Sequence, residues 1–190
     1  MATFASIRSA NRAARTAERA LSFNIRPLLF QSRLGDGTQK VTWVDRRVHR
    51  LDGGHGIAEV TDGVIYIAVS LRNAGAGMAV IQSWSPTADL SSMPADHAPL
   101  DTFRPQTRDL YIAPSDTGFW QGAIRDRADP MHAPMAAVIS AHQPFLIEVQ
   151  YCNAEGGQRT ISRFLFFPTE ESGWLCSVGR HFSLDHDLPR

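Results

Sequence analysis

Val64-Ile65-Tyr66-Ile67-Ala68-Val69-Ser70-Leu71-Arg72 decides the fold. Ile65, Ile67, Val69 and Leu71 share one face of a period-two run; Tyr66, Ala68 and Ser70 take the other, which is also fairly apolar. β-branched and aromatic residues at this density specify a strand, and apolar character on both faces predicts a central one. Comparable runs cover 27–31, 41–49, 57–60, 78–85, 108–113, 117–124, 145–152, 159–167 and 174–182, separated by clusters of Gly, Pro, Asn and Asp. Turn signals at this regular, short spacing predict an all-β fold, an immunoglobulin-like antiparallel β-sandwich.

The C-terminal third reads as a meander. Asn153-Ala154-Glu155-Gly156-Gly157 and Glu170-Glu171-Ser172-Gly173 supply turn residues, and Phe145, Ile147, Val149 and Tyr151 alternate with Leu146, Glu148, Gln150 and Cys152 so that one face looks inward. Between Asp129 and Pro144, with Pro134 near its start and Met135, Val138 and Ile139 at helical spacing, one short helical insertion is expected to cap an end of the sandwich. Ser85 to Pro105, punctuated by Pro86, Pro94, Pro99 and Pro105, has no periodicity; it is the loop that length alone marks for function.

Ahead of the strands, residues 3–21 lack Gly and Pro and set Phe4, Ile7, Ala14 and Leu21 on one helical face. Arg8, Arg12, Arg15 and Arg19 form a basic row on another. The expected organisation is an amphipathic basic helix over 1–22 and a sandwich domain over 23–190. The zero net charge of the 190 residues hides a split: residues 1–50 hold ten Lys plus Arg against three acids (+7), and residues 51–190 hold nine against sixteen (−7). All basic residues but Lys40 are arginine, which in an Ala-rich chain suggests coding bias more than guanidinium chemistry.

The longest apolar runs, Val64–Val69 and Phe164–Phe167, fall far short of the roughly 20 residues of a membrane span, and no secretory signal pattern is visible, so a cytoplasmic location is expected. Cys152 and Cys176 are too few for a disulfide framework and fit a reducing compartment, with their pairing left open.

Asn73-Ala74-Gly75-Ala76-Gly77 follows a strand as a dinucleotide fingerprint would, but Val80 stands where the third glycine belongs. Met78 to Trp84 then continues as strand formers, so the segment is a turn between strands and no cofactor is expected. A nucleophile elbow, H-E-x-x-H and zinc-finger spacings are absent from the sequence. His49, His55, His132 and His142 flank turns or the short helix without metal spacing and read as surface residues. Phe119 and Trp120, with Trp43, Trp84 and Trp174, read as core, because burying a large ring gains about 1.5–3 kcal/mol.

Two functional readings stay open. In the first, the chain is a non-enzymatic interaction or scaffold module at the cytoplasmic membrane face. Arg8, Arg12, Arg15 and Arg19 meet an anionic surface or a partner, with Phe4, Ile7 and Leu21 as shallow anchors, or the helix mediates self-association. Nucleic acid is disfavoured, since residues 51–190 are acidic and show no basic stacking platform. In the second, a small-molecule or metal-binding protein, hydrolases included, uses the tail cluster of His181, Asp185, His186 and Asp187, with His181, Asp185 and Asp187 as ligands.

Tyr66 to Asn73, followed by Ala74-Gly75-Ala76-Gly77-Met78-Ala79 and later by Tyr111-Ile112-Ala113-Pro114, resembles the turn and proline-containing strand of bacterial immunoglobulin-like modules of the CARDB kind. Phe103 to Asp126, Glu155 to Phe164 and Arg180-His181-Phe182-Ser183-Leu184-Asp185 are similar to an uncharacterised bacterial family whose members often carry an upstream transmembrane segment. The resemblance implies a sandwich beside a membrane and brings no catalytic residues. Residues 1–22 depart from it in having no such apolar segment.

Overall fold

A computed structural model of the protein describes residues 25–93, 95–170 and 173–185. The expected helix over 1–22, with Phe4, Ile7, Arg8, Arg12, Arg15, Arg19 and Leu21, lies outside the described residues, as do His186 and Asp187.

Strands dominate the rest: β1 (Leu29–Gln31), β2 (Gln39–Thr42), β3 (Val48–Leu51), β4 (His55–Thr61), β5 (Val64–Asn73), β6 (Ala79–Thr87), β7 (Arg104–Ile112), β8 (Thr117–Ile124), β9 (Phe145–Cys152), β10 (Thr160–Pro168) and β11 (Trp174–Ser183). One helix, α1 (His132–Ser140), occurs among the described residues where the proline-bounded insertion was expected, with Met135 and Ile139 buried. No helix among the described residues is long and apolar enough to cross a membrane.

Strand β5 is central, as its two apolar faces require. It pairs antiparallel with β8 along one edge, and with β4 and then β1 along the other. Ile65, Ile67, Val69 and Leu71 enter the main core, where Trp84 meets Trp120 edge-on at 5.1 Å and Phe145 stacks on Phe166 at 4.6 Å. The opposite face, Tyr66 and Ala68, is covered by Val41, Trp43 and Leu51.

That cover corrects one expectation. Residues 41–49 are not one continuous strand: Val41 and Thr42 end β2, Val48 and His49 begin β3, and residues 43–47 turn between them, with Arg46 at φ 65° and Trp43 N–H donating to Arg47 O. Asp45 supplies the turn chemistry, accepting from Arg47 N–H and from the distant Tyr66 hydroxyl.

The sheet order is β1-β5-β4-β11-β10-β9-β6-β7, with β8 on the far side of β5. Nine strands are thus hydrogen-bonded into one rolled antiparallel sheet rather than two separate ones. The roll turns a corner where β4 and β11 share the pairs Gly56↔Trp174 and His55↔Leu175. A Cβ on Gly56 would lie 2.5 Å from the Phe166 ring and 2.6 Å from the Cys176 sulfur, so the corner closes because this residue has no side chain. Where β7 meets β8, Gln106 bridges the gap, its Nε2 donating to Gln121 O and its Oε1 accepting from Trp120 Nε1. Side chains thereby occupy strand edges that would otherwise invite foreign strands.

The Ala74–Gly77 turn joins β5 to β6 as expected, and its glycines serve packing. A Cβ on Gly75 would stand 2.3 Å from Arg26 O, and one on Gly77 1.7 Å from Ile25 O. Asn73 ties the turn down by accepting from Leu28 and Gly75 N–H and donating to Gly77 and Ile112 carbonyls.

Candidate functional site

The long loop after β6 is not loose. Asp89 accepts from Ser91 N–H and caps a short 3-10 turn over Leu90–Ser92. Farther along, three side chains from the outer face of the β9–β11 meander grip its backbone. Glu148 Oε2 accepts from Ala98 N–H at 2.7 Å, Arg163 Nη2 donates to Asp96 O at 2.6 Å and Arg180 Nη1 donates to Ala95 O at 2.8 Å. Glu148 and Arg163 also pair with each other at 2.6 Å, with side chains only 1% and 5% exposed. The guanidinium groups of Arg163 and Arg180 both lie over the Phe182 ring, and His97 meets that ring edge-on.

The strapped loop forms one wall of a cleft of about 850 Å³ whose other wall is the approach to α1. Its lining is largely apolar, with Pro86, Ala88, Pro99 and Phe103 on the loop side and Pro130 and Met131 opposite. Arg104 forks onto Asp129 through Nη2–Oδ1 at 2.7 Å and Nε–Oδ2 at 3.1 Å, and lies 5.2 Å over the Trp84 ring. Burial alone would raise the Asp129 carboxyl, but hydrogen bonds from Arg104 and Met131 N–H outweigh it and hold the group below its usual value. The cleft therefore offers an apolar surface of ligand-binding size, a self-neutralised ion pair, and the carboxylates of Asp89 and Asp101.

The tail residues take separate partners. Asp185 is clamped by Arg159, whose N–H, Nε and Nη2 donate to it at 2.6, 2.9 and 2.7 Å. His181 turns the other way. β11 carries a bulge at Gly179, between the pairs Phe164↔Val178 and Arg163↔Arg180, which reverses the alternation of faces. Phe182 is thereby sent outward under the loop, and His181 inward against β10, where its Nδ1 meets Ser162 Oγ at 2.7 Å. Ser162 Oγ in turn contacts Tyr151 Oη at 2.8 Å, and Tyr151 Oη accepts from Leu29 N–H. Burial, followed by the charge of Arg26, depresses His181 to about 4, and burial pushes the Tyr151 hydroxyl up to about 12. Among the described residues no three His, Cys, Asp or Glu side chains are placed to hold a metal; Asp187, the third expected ligand, lies outside them.

The other histidines are engaged locally. His55 and His132 meet backbone carbonyls of Gly53 and Gly63, His142 stacks on Trp174, and His49 joins Glu59 and Arg47. Cys152 and Cys176 are free thiols, and burial raises both, so neither is primed as a thiolate. Sequence reasoning passed over Glu148, Arg163 and Arg26. The available signal was the antiparallel register that sets Glu148 opposite Arg163.

No family model and no curated protein matches the chain. Among solved structures, the crystal structure of a protein from Archaeoglobus fulgidus is similar over 69% of this chain and 94% of its own, at 11% identity and a TM-score of 0.28.

Proposed function

We propose that the chain is a non-enzymatic interaction module on an immunoglobulin-like sandwich, holding an apolar segment of a protein partner in the cleft between the loop joining β6 to β7 and residues 129–134. The observation that carries this reading is the cleft's chemistry: apolar walls, an ion pair that neutralises itself, and carboxylates that favour basic residues flanking the bound segment. The sandwich reading rests on β8, β5, β4 and β1 forming one layer and β11, β10, β9, β6 and β7 the other, joined by the two residue pairs at the β4–β11 corner.

Titrating a leucine-rich peptide flanked by lysines into isotope-labelled protein tests the proposal. Saturable shifts at Ala88, Ala98, Phe103 and Met131 are expected, together with their loss in Pro99→Arg, which places a guanidinium at the cleft. Shifts spread over the whole surface, or unchanged by Pro99→Arg, would overturn it.

The basic arm is the second contact in this reading. Four arginines at about 1 kcal/mol each near an anionic surface can hold it at the cytoplasmic membrane face. The full chain should then float with phosphatidylserine vesicles and the chain from residue 23 should not; equal flotation removes the membrane from the proposal.

A further inference from the structure

A second cavity, of about 470 Å³, lies where β1, β5 and the turn between β7 and β8 meet. It shares no residue with the loop cleft. The backbone fixes its walls. Arg72 stands opposite Phe30 on β1 and opposite Thr117 on β8. Arg33 follows Ser32, whose N–H donates to Ser70 O at 2.9 Å, and Ser115 N–H donates to Asn73 O at 2.9 Å. Phe30, Arg33, Arg72 and Ser115 all line this one space, with the buried Asn73 among its walls. Arg33, Ala74 and Ser115 are exposed, so the space is open to solvent.

The lining holds two guanidinium groups and no carboxylate. Among the described residues neither Arg33 nor Arg72 has an ion-pair partner, whereas Arg47, Arg104, Arg159 and Arg163 each pair with an acid. The acids nearest in sequence take backbone N–H groups instead: Asp36 accepts from Arg33 N–H and Asp116 from Thr117 N–H, and neither lines the cavity. Two cations sharing a concave space repel each other and focus positive potential there, and an anion relieves both. Gln31 lines the cavity too. Its Oε1 accepts from Val178 N–H, which leaves the two N–H groups of the amide for another acceptor.

Ser115 supplies an independent sign. Asp116 N–H donates to Ala113 O at 3.2 Å, closing the turn Ala113-Pro114-Ser115-Asp116, whose third residue has φ 62°. With proline second and a positive φ third, that position normally goes to Gly or Asn, because other side chains are strained there. Asn73 exchanges backbone hydrogen bonds with Ser115 and Asp116 and so holds the strained residue against β5. Serine keeps a hydroxyl at the cavity at that cost.

We propose that this cavity binds a phosphate group, free or as the monoester of a small molecule, between Arg33 and Arg72, with the Ser115 hydroxyl and the Gln31 amide as further donors. Two arginines match the charge of about −2 on a phosphate, whereas a single carboxylate would leave one cation uncompensated. The volume falls in the range of small-molecule sites and leaves room for an organic part beside the Phe30 ring. The site is independent of the loop cleft and of any partner held there.

Glycerol phosphate, inorganic phosphate and acetate are titrated separately into the full chain at constant ionic strength, with sodium chloride as the control. Arginine Nε–H and backbone amide resonances are read by NMR. Saturable shifts confined to residues 30–33, 72–74 and 115 are expected with both phosphates. Tighter binding of glycerol phosphate assigns the site to a phosphorylated small molecule, and equal affinity assigns it to free phosphate. Arg33→Gln and Arg72→Gln should each weaken binding about tenfold, and Arg72→Lys should recover part of the loss. Ser115→Gly separates the site from the fold: it should keep or raise the unfolding midpoint while weakening phosphate binding several-fold. Shifts that do not saturate, that chloride or acetate reproduces, or that survive in folded Arg33→Gln and Arg72→Gln would overturn the proposal and leave an adventitious ion only.

Discussion

The two faces of the β9–β11 meander carry two polar networks that differ in one respect. On the outer face Glu148 and Arg163 satisfy each other and extend to Ala98 N–H and Asp96 O, so the ion pair is enclosed by partners under the loop. On the inner face the chain from Leu29 through Tyr151 and Ser162 to His181 is satisfied at every step but the last, and Arg26 beside it is likewise left with a free donor. A saturated network fixes structure, because each group has its partners and any loss exposes a cost. An unsaturated one carries the desolvation cost of each buried group left without a partner. The difference assigns the outer network to holding the loop, and hence the cleft, and leaves the inner one with two buried groups, Arg26 Nε and His181 Nε2, whose desolvation goes uncompensated.

The largest expected effect comes from breaking the outer pair. Glu148→Ala or Arg163→Ala leaves a buried charge unpaired and should cost about 3–5 kcal/mol. Replacing both together with Leu and Met should recover much of that loss, since the desolvation of both charges then disappears. Urea unfolding midpoints check the stability, and limited proteolysis between Asp89 and Phe103 checks the loop. Single variants that cost under about 1 kcal/mol and keep the loop protected would mean that the loop is held by something other than this pair.

A smaller effect, with a pH signature, belongs to the inner network. His181 is depressed to about 4 in the fold, against an ordinary value of 6.5. Between these values the unfolded chain binds a proton that the folded one refuses, so stability contributed by neutral His181 is complete above about pH 6.5 and is lost as pH falls towards 4. The imidazole is partly exposed, which trims the loss to roughly 2 kcal/mol. Asp129 and Asp45, both held low, lose their contributions only in more acidic solution, below the His181 window. Unfolding midpoints between pH 4.5 and 7 should slope in the wild type and flatten in His181→Gln; equal slopes would show that the imidazole is not sequestered.

The extent to which these regions could be read from sequence follows from how locally each is encoded. β5, α1 and the Asn153–Gly157 turn are written in adjacent residues, as period-two alternation, helical spacing and turn chemistry, and all three stand where those patterns place them. The 41–49 segment has the same strand-like composition but breaks at Asp45, partly because of a bond to Tyr66, far away in sequence. Glu148 reads as a solvent-facing residue by alternation, since only the loop, whose path has no local signal, buries it. The cleft is legible as a long proline-rich loop and no further. His181 enters the sequence reading as a member of a polar tail, whereas the fold turns it inward and leaves Asp185 with Arg159.

The reason for that reversal yields the smallest of the expected effects and the sharpest test of the comparison between the two faces. With strict alternation from Trp174, Phe182 would face inward and His181 outward. The extra residue at Gly179 exchanges them, giving Phe182 to the outer network and His181 to the inner one. A Cβ on Gly179 would lie 2.6 Å from Leu165 Cδ1, the mobile end of a side chain, and next meets Arg163 O at 3.9 Å, so Leu165 can yield while the bulge persists. Gly179→Ala should therefore cost about 1 kcal/mol, a fall in melting temperature of about 2–4 °C for a chain of this size, and Leu165→Ala should relieve the clash in the double variant. The NMR environments of His181 and Phe182 should stay as they are. If they exchange instead, the bulge is specified by the glycine backbone rather than by the packing on its two sides, and both networks depend on a single residue that belongs to neither.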